Sequence, residues 1–223
     1  MVNPEKAKVL SGFFKTGKGQ YAEGDIFLGI TVPEARKLAR KYADMKISEI
    51  QELLKSKIHE ERLLALMLLV NKFQSGDEKN KEKIFDFYLK NTQHINNWDL
   101  VDLSAHEIVG AFLEGKSKAV LVKLASSQSL WEKRIAMVAT FYEIRNSRSE
   151  TTLKIAEKLL HDEHDLIQKA VGWMLREVGK RCSQKEEEIF LDKYALVMPR
   201  TMLRYAIERF DEKKRKYYMQ LGK

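Results

Sequence analysis

The chain has 223 residues, 44% of them hydrophobic, and carries 40 Lys plus Arg against 32 Asp plus Glu, a formal net charge of +8. That content suffices for a sizeable core in one domain or one continuous array. The longest apolar run, Leu63 to Val70, is far short of the roughly 20 residues a membrane helix needs, and Glu5 and the early lysines interrupt what an export signal would keep apolar. Cys182 is the only cysteine, which excludes an intramolecular disulfide and a cysteine-held zinc and points to the reducing cytoplasm. The positive balance favours a polyanion, nucleic acid before a membrane surface, because the bases are spread over many segments rather than along one amphipathic face.

Prolines occur only at Pro4, Pro33 and Pro199, and apolar residues recur at helical spacing almost everywhere, so the chain reads as all-α. In chain order, a helix is expected before Phe14, and the segment from Thr16 to Asp25, with three glycines and no helical period, is a loop. Its glycines do not open a helix with Gly-Lys-Ser/Thr and follow no strand, so it is not a phosphate-binding loop. Thr31 followed by Pro33 and Glu34 starts a helix from Val32 to Tyr42. Helical pairs follow over Ser48 to Phe73, Asp77 to Glu114, Ser117 to Arg145, Glu150 to Lys180 and Lys185 to Phe210, with Gly76, Gly115 and Gly179 read as helix ends. A short basic helix over 211–223 ends the chain. One domain over 1–223 is expected, with N-terminal helices in 1–45 and a repeat array in 46–210.

The array carries a loose repeat, a basic residue followed three positions on by a small one: Arg62 with Ala65, Lys133 with Ala136, Lys169 with Gly172. Lys133 and Lys169 are 36 residues apart, a period of paired-helix repeats whose units bury their apolar sides against neighbours and leave a concave face. Arg62 to Lys133 is about two such steps, and Asp102 with Ala105 falls in the slot between them, an acid in a row of bases.

Within Trp98-Asp99-Leu100-Val101-Asp102 the indole and the second carboxylate stand four residues apart and share a helix face, while Leu100 and Leu103 look elsewhere. Such a face can hold a flat cationic group; the plainer alternative is an aromatic at a helix start beside a solvated Asp. Around Trp173, the residues Lys169, Arg176 and Lys180 make another face aromatic and basic, a nucleic-acid signature. Trp131 to Arg134 opens a further helix, and Arg134 falls among apolar neighbours, available to a phosphate or to a carboxylate such as Asp102. His94, His106, His161 and His164 do not form a His-Glu-x-x-His helix, so no metal is expected. No Gly-x-Ser-x-Gly elbow occurs, and Cys182 has no assignable base.

Gly29-Ile30-Thr31-Val32-Pro33 with Arg36, Asn97 to Asp102, Leu130 to Arg134, Ala170 to Trp173 with Arg176, and Arg200 to Ala206 together resemble the HEAT-like-repeat alkylpurine DNA glycosylases, the AlkD type. The resemblance spans nearly the whole chain. It implies an α-α superhelix of HEAT-like repeats and excision of 3-methyladenine and 7-methylguanine from duplex DNA without base flipping; a repeat array with capped ends needs no partner, so a monomer is expected, and no cofactor or metal. By the same resemblance Asp102 would stabilise the sugar cation and position water, Trp98 and Trp173 would flank the deoxyribose, and Arg134 would hold the backbone. Arg176 and, more weakly, Lys169 and Lys133 would contact phosphate. The chain departs from the family at the glycine-rich loop, where a DNA-gripping helix is expected. That departure keeps a non-catalytic binding module or scaffold open as the alternative.

Overall fold

The computed structural model describes residues 2–221, and among these every regular element is helical. Among the described residues the one β contact is an isolated parallel bridge between Ile26 and Ile58. The chain packs as two compact units, one ending at Ser104 and one beginning at Ala105.

The first unit contains α1 (Pro4–Phe13), α2 (Val32–Lys41), α3 (Ile47–Leu54), α4 (His59–Ser75), α5 (Glu78–Lys90) and α6 (Trp98–Ala105), whose last residue crosses the division. Capping marks where they start. Glu34 accepts from the Thr31 amide at 2.8 Å, and Asp77 accepts from the Asn80 amide at 2.8 Å, so each carboxylate satisfies a donor the helix itself leaves orphaned. The helix expected from Ser48 starts one residue earlier, after Lys46. The apolar run Leu63 to Val70 lies in α4, which buries ten residues and packs against α2 and α3; its hydrophobicity reflects burial from several sides. Near the start of α4, Glu60 is buried and accepts the amides of Leu28, Gly29 and Ile30 at 2.9–3.2 Å. Gly29 has φ +79°, and a Cβ there would lie 2.2 Å from the Asn3 carbonyl oxygen. Only glycine satisfies both demands.

The second unit contains α7 (Ala119–Ala125), α8 (Leu130–Ala139), α9 (Phe141–Arg145), α10 (Glu150–Lys158), α11 (Asp165–Arg181), α12 (Gln184–Tyr194), α13 (Arg200–Ala206) and α14 (Glu212–Gln220). A π-helical turn, His106–Gly110, opens it. The expected helix over 211–223 is α14, and its last two positions lie outside the described residues. α11 is the hub, packing against α8, α12 and α13 through Leu166, Ile167, Ala170, Val171, Met174, Leu175 and Val178.

Gly179 is not a helix end: α11 continues to Arg181, and a Cβ at 179 would sit 1.7 Å from a carboxylate oxygen of Glu187. It is a clearance residue for α12. Gly76 and Gly115 do follow helices, as expected. Gly172 serves a close approach of α11 to α13, since its Cβ would lie 2.3 Å from the Met202 carbonyl oxygen and 2.5 Å from Tyr205 Cβ. Gly172→Ala must push backbone away from backbone, which overpacking precedents put at about 2 kcal/mol. Thermal unfolding should fall by roughly 4–8 °C; an unchanged melting curve would show that α13 shifts freely.

Candidate functional site

In the first unit the site begins at α6. Asn97, fully buried, accepts the Trp98 amide on its side-chain Oδ1 at 2.8 Å, and its own carbonyl accepts from Val101. The helix buries Leu100, Val101, Ser104 and Ala105. Trp98 and Asp102 are half-buried and share one face of the helix, as their spacing predicts. The Ser104 hydroxyl donates to the Leu100 carbonyl at 2.6 Å, so the Tyr88 phenol donates to Ser104 at 2.9 Å. Burial first, and then the Asp102 charge, push the Tyr88 phenol up, against the Ser104 hydrogen bond, so it stays a donor.

The N-terminal segment is built around the indole. Trp98 stacks on Phe14 at 5.1 Å with 21° between the ring planes, meets the edge of Phe13 at 5.8 Å, and donates its Nε1–H to Tyr21 Oη at 3.2 Å. Phe14, Ala22 and Phe27 form a small core with Trp98 and Tyr21 packed against it. The glycine-rich loop is therefore a fitted piece of the first unit, and one indole face is spent on protein.

Beneath α6 lies a cluster that sequence reasoning missed. His59 is 2% exposed; its Nε2 is 2.8 Å from Asp99 Oδ2 and its Nδ1 3.3 Å from Asp25 Oδ2. Arg62 donates to Asp25 at 2.7 Å and to the Ser56 carbonyl at 2.8 Å, and Asn97 Nδ2 reaches Asp25 at 3.5 Å. Burial pulls the His59 pKa down, but the hydrogen bonds to Asp25 and Asp99 outweigh it, and the net shift is upward. Burial likewise raises Asp25, but His59 and Arg62 overcome it and hold the carboxyl below its usual range. Arg62, read from the repeat as a concave-face base, is buried at 3% and belongs to this cluster: a guanidinium beside a buried acid gains more by pairing than by hydration. The available signal was His59 one turn ahead of Arg62 at a helix start. His59 and Asp99 also line an apolar cavity of about 590 Å³ walled by Val9, Leu10, Phe13, Phe27 and Leu63.

In the second unit Trp173 is half-buried on α11, its ring 6.0 Å from Phe141. Arg134 is 5% exposed and donates to the Leu166 carbonyl. The other bases face acids of the same unit: Lys133 with Asp162 at 2.8 Å, Lys169 with Asp165 at 2.8 Å, and Arg176 with Glu208 and Glu177. The repeat thus marks helix positions that carry paired cations. His164 caps α11, accepting the Leu166 amide at 3.1 Å. Among the described residues no three His, Cys, Asp or Glu side chains are placed to hold a metal, and no helix is long and apolar enough to cross a membrane. Burial, followed by Glu186 and Glu150, pushes the Cys182 thiol up to about 11, far from a thiolate nucleophile.

The family model of the DNA alkylation repair enzymes matches residues 1–210. A solved structure described as a predicted DNA alkylation repair enzyme from Enterococcus faecalis is 19% identical, superposes with a TM-score of 0.72, and covers 95% of this chain and 98% of its own. At that identity it shows a common fold. No curated protein matches the chain.

Proposed function

Because the chain belongs to the DNA alkylation repair enzyme family, and so to DNA repair, we propose that it is an AlkD-type glycosylase, hydrolysing the N-glycosidic bond of cationic alkylated purines such as 3-methyladenine and 7-methylguanine in duplex DNA without flipping the base into a pocket. The observation that carries this is the face of α6, where a carboxylate and an indole stand one turn apart and both reach solvent. An N-alkylated purine already bears a positive charge. When the bond from C1′ to the base nitrogen breaks, the electron pair leaves with the base, which departs neutral, and the charge passes to the sugar. No general acid is needed. The Asp102 carboxylate stabilises the sugar cation and orients a water, whose oxygen bonds to C1′ and whose proton passes to bulk water. Trp98 lies against the deoxyribose and adds indole-face attraction to the cation, a role that the resemblance extends to Trp173. Arg176, Lys133 and Lys169 contact phosphates, and the resemblance assigns Arg134 to the backbone beside them. The protein acts as a monomer in the cytoplasm and needs no cofactor.

One observation favours a second reading, a binding module or scaffold: Lys133, Lys169 and Arg176 each face an acid of their own chain, which weakens the field a phosphate meets. Release of 7-methylguanine from methylated duplex DNA separates the readings, and the glycosylase is expected to release it. Salt-dependent binding without release would leave the module, and no binding the scaffold. Arg176→Ala should weaken binding a few-fold on any sequence and lower the log-log salt slope by about one; an unchanged slope would remove Arg176 from the interface.

A further inference from the structure

We propose that His59 is a positioning residue: its imidazole, clamped between the carboxylates of Asp25 and Asp99, sets the first turn of α6 and so aims Trp98 and Asp102. The inference rests on the glycosylase reading for its catalytic consequence and on geometry alone for its structural one. Both ring nitrogens face carboxylate oxygens, at 2.8 and 3.3 Å, and an ionised carboxylate only accepts. Two bonds therefore require two N–H groups, which only the imidazolium has. The clamp grips consecutive residues of the helix start. Asp99 holds His59 with Oδ2 and accepts the Leu100 amide on Oδ1, and Asn97 joins Asp25 to the Trp98 amide. A second path runs through rings, since His59 stacks on Phe27 at 4.6 Å and lies 5.0 Å from Phe14, which stacks on Trp98.

The groups facing the ring come from every element around it. Asp25 lies on the loop, Asp99 on α6 and Arg62 on α4, while Glu60 of α4 and Glu5 and Lys6 of α1 line the shared cavity. Losing the ring proton turns one donor into a lone pair aimed at a carboxylate, so that side of the clamp opens. The folded pKa lies above the ordinary 6.5, and the closed arrangement therefore holds below that raised value and fails as pH rises through it.

The test uses the full chain, with indole N–H resonances followed between about pH 5.5 and 9 beside single-turnover release of 7-methylguanine. The Trp98 signal, donated to Tyr21, should move with a midpoint above 6.5, while those of Trp131 and Trp173 do not follow. Release should fall about tenfold through the same midpoint. In His59→Gln the Trp98 signal should stay still and release should be roughly tenfold lower at acid pH and flat, with DNA affinity within about twofold of wild type. A Trp98 signal that does not titrate in wild type, or titrates equally in His59→Gln, overturns the proposal. Should His59→Gln fail to fold, Asp99→Asn keeps the shape while removing one acceptor charge and must lower the midpoint; an unmoved midpoint also overturns it. Absent release with a titrating Trp98 signal would sink the glycosylase reading and support the clamp.

Discussion

Asp102→Asn is expected to cut release of alkylated bases by on the order of 10²–10³-fold while leaving the protein folded and bound to DNA. Asparagine keeps the size and the hydrogen-bonding reach of the side chain but removes the negative charge opposite the forming sugar cation. Removing a preorganised electrostatic contact of this kind costs about 3–4 kcal/mol of transition-state stabilisation. Ground-state binding moves the other way, because a carboxylate near phosphates is repulsive, so affinity should be equal or slightly tighter. Asp102 is half-buried and asparagine keeps its size, so the substitution should not cost the fold much. Single-turnover release and equilibrium binding measured on the same methylated duplex check both halves, and equal release by the two proteins would remove Asp102 from the chemistry.

Glu187→Gln is expected to stabilise the protein by an amount that grows with pH. Glu187 is 2% exposed, its Oε1 has no hydrogen-bond partner, and its other oxygen packs against Gly179. Burial, followed by the neighbouring charge of Glu188, pushes its carboxyl up from an ordinary 4.5 to about 8, with Arg176 opposing. Between those values the unfolded chain has released the proton and the folded chain keeps it, so stability falls as pH rises, at about 1.4 kcal/mol per pH unit. By pH 8 the cost reaches about 4 kcal/mol, and above it the buried charge is present in full. Glutamine is neutral throughout. Thermal unfolding of the variant should match wild type near pH 4.5 and exceed it by roughly 10 °C near pH 8. Parallel curves with a constant offset would show that the Glu187 carboxyl is ionised in the folded protein at low pH.

Helical periodicity and start signals were enough to place most elements, because both are local. Thr31, Pro33 and Glu34 start α2, and the expected pairs lie close to the helices found there, although Ser117 to Arg145 holds three, α7, α8 and α9, where a pair was expected. Spacing also put Trp98 and Asp102 on one face, since four residues make about one turn in any α-helix. Local signals failed where a distant residue decides the outcome. Gly179 looks like a terminator until Glu187 arrives beside it. Arg62 matches a surface repeat until Asp25, 37 residues away, takes its guanidinium inward. His59 carries no motif, and its two carboxylates come from a loop and a helix separated from it by 34 and 40 residues.

The amino-acid order by itself determined that this is an all-helical, basic chain with an acid and an indole on one turn of helix, because propensity, capping and periodicity act over a few residues. Tertiary structure alone decided which charges are buried and paired. Only folding brings Asp25, His59 and Asp99 together and withdraws their water, and in that drier setting the cheapest arrangement joins a cation to the carboxylates instead of exposing it.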